Sequence, residues 1–128
     1  KNNSEISTLA CKISDYKILS ENSIVKVVTE KELSDENSSK AKYFLRKILE
    51  KKYKNIYHHI GIYSFRINSL KKFIGLKPSE NELFHKLEQW RALDSNMTIG
   101  TKYIDESYFG VDTEEDLLKA ENIIKDKK

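Results

Sequence analysis

Polar segments divide the chain into pieces whose residues are alternately typical of β-strands and of helices. The clearest strand-like segment is 60–66, where β-branched and aromatic residues dominate. Residues 34–39 read Ser-Asp-Glu-Asn-Ser-Ser, a composition typical of a loop. Strands are predicted at residues 7–13, 24–29, 41–45, 60–66 and 97–104.

Helical spacing is concentrated in the second half of the chain. Residues 68–74 form a short predicted helix that ends before Gly75. Ser79 is a favourable N-cap, and Glu82 lies three residues later at the capping-box position. We therefore expect a longer helix from this point to residue 93. Its predicted apolar face consists of Leu83, Phe84, Leu87, Trp90 and Leu93.

A second capping box is predicted near the end of the chain, where Thr113 is followed three residues later by Asp116. The first turn after Thr113 is acidic, which suits the helix dipole. Strands that alternate with helices predict an α/β layer architecture. The apolar stripe of this last helix consists of Leu117, Ala120, Ile123 and Ile124.

Residues 46–54 allow two interpretations. Ile48, Leu49 and Tyr53 also fit a helical period, so the pattern excludes neither a strand nor a helix. This stretch is rich in Lys and begins with Arg46, which fits either a phosphate-binding patch or a solvated face. The chain carries 23 Lys and Arg against 20 Asp and Glu, and this small excess favours the solvated face. We expect no nucleic-acid partner.

Cys11 is the only cysteine, which excludes an internal disulfide and a thiolate metal cluster. It follows Leu and Ala, so we expect it to be buried. The sequence contains no apolar stretch of membrane-spanning length and no signal peptide. These features predict a cytoplasmic protein with no membrane partner. The first residue is Lys1, and we expect the chain to be part of a longer gene product.

Several motifs resemble those of the CMP-Kdo synthetases, the cytidylyltransferases that activate the sugar acid Kdo (3-deoxy-manno-octulosonate). Residues 59–66 read His-Ile-Gly-Ile-Tyr-Ser-Phe-Arg, similar to the family's H-x-G-I-Y-x-[YF]-R strand. Residues 78–82 and 87–93 resemble the P-S-x-x-E and L-E-Q-L-R-x-L parts of a family helix. Residues 110–117 are similar to the closing G-V-D-T-P-E-D-L. The resemblance covers nearly the whole chain, and the motifs occur in the family's order.

The resemblance implies an α/β fold: the C-terminal part of a Rossmann-like nucleotide-diphospho-sugar transferase fold, with a mixed sheet flanked by helices. Residues 1–128 would form a single lobe that binds the sugar acid and forms a homodimer. No segment resembles the loop with which the family's N-terminal half binds CTP. Whether this chain alone is an enzyme therefore stays open, and we expect a partial chain that is inactive by itself. The alternative is a non-catalytic dimerisation or sugar-acid-binding remnant of the family.

The family reaction joins CTP and Kdo into CMP-Kdo and releases pyrophosphate, with Mg²⁺ on the phosphate oxygens. The resemblance implies that Asp112, in the closing motif, is a Mg²⁺ ligand. Asp112 also fits a helix cap, although Thr113 can cap that helix alone. The residues implied in binding Kdo are His59, Tyr63, Glu88, Gln89 and Arg46.

Each implied Kdo residue also has a structural interpretation: a buried histidine, a packed tyrosine and solvated helix residues. Arg46 matches the arginine of the family's Y-F-S-R-x-x-I-P segment. The planar guanidinium group of an arginine can bind a carboxylate or a phosphate through two hydrogen bonds. The surrounding segment departs from the family, which has Ser and Pro where this chain has Leu45 and Leu49. These replacements remove a polar group and a chain constraint, and they make the segment more helix-like.

Overall fold

The computed structural model describes residues 3–105 and 110–128. A 3₁₀ helix covers Tyr16–Ser20. The strands are β1 (Ile6–Cys11), β2 (Lys26–Thr29), β3 (Ser39–Leu45), β4 (Ile56–Phe65) and β5 (Ile99–Tyr103). The α-helices are α1 (Ile67–Ile74), α2 (Glu80–His85), α3 (Gln89–Asp94) and α4 (Glu114–Asp126).

The strands form a single closed sheet in the order β1-β4-β2-β3-β5, in which β5 pairs back with β1. The β1–β5 pair is parallel, whereas β1–β4, β2–β4, β2–β3 and β3–β5 are antiparallel. The predicted α/β class with a mixed sheet is therefore confirmed. All predicted strands are present, and β4 is longer than the predicted 60–66 because it begins at Ile56.

The core lies where the interior of the closed sheet meets α3. Phe44 of β3 and Val27 of β2 are fully buried, and Ile99 of β5 is almost so. Trp90 of α3 packs against this cluster, and its Nε1 donates a 2.9 Å hydrogen bond to the Phe44 carbonyl oxygen. Burial of such side chains contributes roughly 1.5–3 kcal/mol each, so α3 is anchored firmly to the sheet. Cys11 is buried, as expected.

The continuous helix predicted up to residue 93 is wrong, because the chain bends at Lys86. This residue adopts the left-handed conformation, with φ 54° and ψ 45°, and separates α2 from α3. The Ser79–Glu82 capping box that begins α2 is confirmed. After the bend, Leu87 and Trp90 are buried as predicted, and Leu93 is half-buried. The predicted apolar face fails in α2, where Leu83 and Phe84 are 67% and 82% exposed.

Residues 46–53 form neither a helix nor a strand, so neither interpretation of this stretch holds. Two backbone groups of this segment bond to distant parts of the chain. The Ile48 amide donates to the Leu19 carbonyl oxygen at 2.8 Å, and the Arg46 carbonyl oxygen accepts from Nζ of Lys26. These tertiary hydrogen bonds replace the local ones that a helix needs.

The last helix, α4, begins with the predicted Thr113–Asp116 capping box, which is confirmed. None of its residues is buried within the described chain. In its apolar stripe Leu117, Ile123 and Ile124 are 49%, 42% and 59% exposed. Among the described helices, none combines the length and apolarity needed to cross a membrane.

Candidate functional site

A cleft of about 470 Å³ lies between the end of β4, helix α1 and the bend that joins α2 to α3. Its floor is apolar, with Phe65 of β4 and Phe73 of α1 among the lining residues. A largely apolar cleft with a few convergent polar groups is the usual form of a small-molecule site. The polar residues that line it are Tyr63, Lys86, Glu88 and Gln89.

Tyr63 and Gln89 meet in the cleft although they are 26 positions apart in the chain. The Gln89 side-chain amide donates a 2.5 Å hydrogen bond to the Tyr63 hydroxyl oxygen. Burial raises the pKa of Tyr63 to about 12, and the nearby Glu88 carboxylate acts in the same direction, while the hydrogen bond from Gln89 opposes them. The phenol therefore stays protonated at neutral pH. Because the Tyr63 oxygen accepts the hydrogen bond from Gln89, the O–H group remains available to donate a hydrogen bond to a ligand.

A β-bulge between β1 and β4 sets the position of Tyr63. Thr8 pairs with Tyr63, but the next residue of β1, Leu9, pairs with Ile60, so two residues of β4 are extra. The Thr8 hydroxyl lies 2.9 Å from the Ile62 carbonyl oxygen and 3.2 Å from that of Ile60, and it holds both sides of the bulge. Bulges change the direction of the side chains that follow, and this one precedes the residue that reaches the cleft.

His59 lies in the core behind Tyr63 and does not line the cleft. Its Nε2 is 2.9 Å from Thr8 Oγ1, and its ring packs edge-on against Phe44 with ring centroids 5.0 Å apart. The ring centroids of His59 and Tyr63 are 5.6 Å apart. Burial lowers the pKa of His59 to about 4, with a smaller contribution from the charge of His58. His59 is therefore neutral at physiological pH and contacts the site through Tyr63.

Arg46 also lies outside the lining of the cleft. Its guanidinium group donates to the carbonyl oxygens of His85, Lys86 and Asn22, at 3.2, 2.9 and 3.2 Å. The first two carbonyl groups belong to the bend whose next residues line the cleft. Arg46 is thus connected to the site only through its hydrogen bonds to the backbone of the bend.

Asp112 lies just before α4, where the helix cap is made by its neighbours. Thr113 Oγ1 accepts from the Asp116 amide, and the Asp116 carboxylate accepts from the amides of Asp112 and Thr113. The Asp112 carboxylate is thus not needed for the cap, and the residue is exposed. Residues 3–105 and 110–128 contain no group of three or more metal-binding side chains. A single carboxylate suits Mg²⁺ only where substrate oxygens and water complete its shell.

Sequence reasoning missed Lys86 and Thr8. Lys86 has no turn signal, because left-handed backbone is normally signalled by Gly or Asn. Thr8 lies in an ordinary strand pattern, and its contact with the bulge depends on a pairing register that the sequence does not display. The three predicted residues that the structure brings together in the cleft are Tyr63, Glu88 and Gln89.

Comparison with known proteins gives consistent matches. A family model described as cytidylyltransferase matches residues 1–99. The 3-deoxy-manno-octulosonate cytidylyltransferase of Bartonella bacilliformis is 39% identical over 125 residues, which is 97% of this chain and 51% of the relative. The Rickettsia akari protein of the same name is 44% identical over 94 residues, or 70% of this chain and 38% of the relative.

The fold also matches a solved structure, that of CMP:2-keto-3-deoxy-manno-octonic acid synthetase complexed with CTP. The TM-score is 0.83 at 28% sequence identity, and the match covers 98% of this chain and 51% of that chain. The chain therefore spans about half the length of the relatives it matches.

Proposed function

Because this chain belongs to the cytidylyltransferase family, we propose that it supplies the sugar-acid-binding part of an enzyme that makes CMP-Kdo. The substrates of the complete enzyme are CTP and Kdo, and the products are CMP-Kdo and pyrophosphate. The observation that carries the proposal is the Tyr63–Gln89 pair in the cleft, because both residues come from family motifs that are distant in sequence.

The groups in the cleft suit a polyhydroxylated acid. The Tyr63 hydroxyl donates a hydrogen bond, and the Glu88 carboxylate accepts hydrogen bonds from sugar hydroxyl groups. Lys86 gives the lining a positive charge for the acid's carboxylate. Phe65 and Phe73 offer an apolar surface for the carbon-bound hydrogens of the sugar ring. This combination fixes the orientation of the acid and excludes water from one side of it.

In the proposed reaction the anomeric hydroxyl oxygen of Kdo forms a bond to the α-phosphorus of CTP. The bond from that phosphorus to the oxygen bridging the α and β phosphates breaks, pyrophosphate leaves, and the hydroxyl proton is lost to solvent. The contribution of this chain is to hold the sugar acid so that its hydroxyl points at the phosphate, since positioning accounts for much of the catalysis of such steps. Bound Mg²⁺ would neutralise the phosphate charge, and Asp112 is the residue of this chain that would hold it.

The CTP site of the complete enzyme is proposed to lie in the portion equivalent to the half of the relatives that this chain does not match. In support, the matched solved structure is complexed with CTP and is about twice as long as this chain. We also propose that the complete fold is Rossmann-like and that the enzyme is a homodimer. The exposed apolar stripe of α4 supports the presence of a further interface.

The test is a titration of the isolated chain with Kdo, followed by the amide resonances of the cleft and by calorimetry. The proposal expects saturable shifts at Tyr63, Glu88 and Gln89, and no comparable shifts with a neutral hexose at the same concentration. Equal responses to Kdo and to the neutral sugar would overturn the proposal. The remaining candidate would then be a dimerisation remnant without a substrate site.

A further inference from the structure

The bend between α2 and α3 is held from outside by Arg46. The last carbonyl groups of a helix have no partner within that helix, and the dipole gives this end a partial negative charge. Arg46 Nε donates to the His85 carbonyl oxygen, and Nη2 donates to that of Lys86. The guanidinium group therefore caps the C-terminal end of α2 with both hydrogen bonds and charge.

The bend needs such a contact because Lys86 adopts left-handed backbone without being a glycine. That conformation costs a residue with a Cβ roughly 1–2 kcal/mol. The left-handed turn directs the chain into the segment where Glu88 and Gln89 line the cleft. The bend and the polar side of the cleft are thus parts of one backbone segment.

Arg46 is itself held in place by a buried lysine. Lys26 is fully buried, and its Nζ donates to the carbonyl oxygens of Arg46 and Glu21. Arg46 Nη1 extends the same network to the Asn22 carbonyl oxygen at 3.2 Å. The network connects the loop after the 3₁₀ helix, the end of β3 and the bend.

We propose that Arg46 is a positioning residue, which sets the backbone of residues 86–89 so that Glu88 and Gln89 face Tyr63, and that it is not a ligand of the sugar acid. The inference rests on the proposed function for the identity of the ligand. The guanidinium group already donates three hydrogen bonds to backbone carbonyl oxygens. The planar shape of the guanidinium group matters more than its positive charge. A lysine at this position has a single nitrogen and cannot bond to all three carbonyl oxygens at once.

The experiment compares Arg46→Gln and Arg46→Lys with the parent chain and with Lys47→Gln. Lys47 is the exposed neighbour, so its replacement removes a positive charge without touching the bend. Amide hydrogen exchange is read at Leu87 and Trp90, whose amides bond to the carbonyl oxygens of Glu82 and Leu87. The Ile104 amide, bonded to Ala10 in the closed sheet, reports whether the fold is intact. Kdo affinity is measured on the same samples.

The expected result is that exchange at Leu87 and Trp90 rises about tenfold in both Arg46 variants while exchange at Ile104 is unchanged. Kdo affinity falls about tenfold in both variants, and Lys47→Gln behaves like the parent in both measurements. Unchanged exchange at Leu87 and Trp90 overturns the inference, whatever happens to affinity. Faster exchange with parental affinity also overturns it, because the bend would then not control the site.

The two proposals fail in different ways. A parent chain that does not bind Kdo overturns the proposed function and the link from Arg46 to the substrate. The exchange result in that case still decides whether Arg46 holds the bend. If Arg46→Lys keeps parental exchange and affinity while Arg46→Gln loses affinity alone, Arg46 is a direct ligand and the inference is wrong.

Discussion

Oγ1 of Thr8 lies 2.9 Å from Nε2 of His59, in the interior of the closed sheet and at the bulge that precedes Tyr63. The single hydroxyl proton of Thr8 is directed at the carbonyl groups of Ile60 and Ile62. The oxygen then accepts from the imidazole, which requires the proton of neutral His59 to be on Nε2. The Thr8 hydroxyl thus bonds to both the bulge that precedes Tyr63 and the ring of His59, and it selects the tautomer of that ring.

We predict that His59 makes stability fall on acidification. Its pKa is about 4 in the folded chain, mainly because of burial, and about 6.5 in an unfolded chain. The unfolded state therefore takes up the proton first. The contribution of His59 is complete above pH 6.5, and roughly 2–3 kcal/mol is lost as the pH falls towards 4.

The check is an NMR titration of the His59 ring, with the urea-unfolded chain as the reference. The expected folded midpoint is near 4, with the proton on Nε2 above it. A folded midpoint at or above 6 contradicts the prediction. Urea unfolding at pH 7 and pH 4.5 then measures the loss of stability directly.

Tyr63→Phe is predicted to weaken Kdo binding about tenfold while it changes the free energy of unfolding by less than about 1 kcal/mol. The ring stays in place, and only the hydroxyl that accepts from Gln89 and faces the cleft is removed. Calorimetric titration of the folded variant with Kdo measures the effect. Tyr43→Phe is the matched control, because Tyr43 is equally exposed and lies on β3 outside the cleft. Equal loss of affinity in both variants would show that the cleft is not the site.

Glu82→Gln is predicted to destabilise the chain by roughly 2–3 kcal/mol. The Glu82 carboxylate accepts from Nε and Nη2 of Arg91 at 2.8 and 2.6 Å, and it completes the capping box with Ser79. This pair connects α2 to α3, and the Arg91 guanidinium also lies 5.2 Å from the Phe73 ring centroid. Urea unfolding measures the loss.

The same pair has a predicted pH dependence. The hydrogen bond from Arg91 is the main reason why the pKa of Glu82 lies below its ordinary value. Glu82 therefore contributes to the stability of the fold at a pH above the pKa that it has in the unfolded chain. This contribution is lost as the pH falls through its lower pKa in the folded chain. Glu115→Gln is the control, because Glu115 forms an exposed pair with Lys119 that is worth well under about 1 kcal/mol. If the two variants cost the same, the buried pair has no special role.

Ile124→Lys is predicted to reduce self-association of the chain. Ile124 lies in the exposed apolar stripe of α4, and we propose that this stripe forms the dimer interface. Leu118→Lys is the matched control, since Leu118 is 58% exposed but lies on another side of the helix. Sedimentation velocity over a range of concentrations is expected to show a dimer for the parent and Leu118→Lys, and a monomer for Ile124→Lys. A parent that stays monomeric at high concentration contradicts the prediction.

Features that depend on neighbouring residues could be predicted from the sequence alone. The capping boxes at Ser79 and Thr113 each need a partner only three residues away, and both occur in the structure. The strand at 60–66 was also predicted locally, from its β-branched and aromatic residues, and these residues lie largely in β4. Local pattern works in these cases because the stabilising contact and its signal lie within one turn or one strand.

The bend at Lys86 shows where local pattern is insufficient. The helical spacing up to residue 93 predicted no interruption, and lysine is not a turn signal. The conformation is stabilised by Arg46, which is 40 positions away in the chain, and by the burial of Trp90 against β3. A preference of about 1–2 kcal/mol against left-handed backbone is small beside such tertiary contacts.

For the site, the sequence by itself determined which residue types were available, and the family resemblance singled out Tyr63, Glu88 and Gln89. Only the tertiary structure decided that Tyr63 and Gln89 touch, and that His59 lies in the core behind them. The physical reason is that these contacts depend on strand register and on closure of the sheet. Both are set by the summed packing of residues far apart in the chain, which no local pattern encodes.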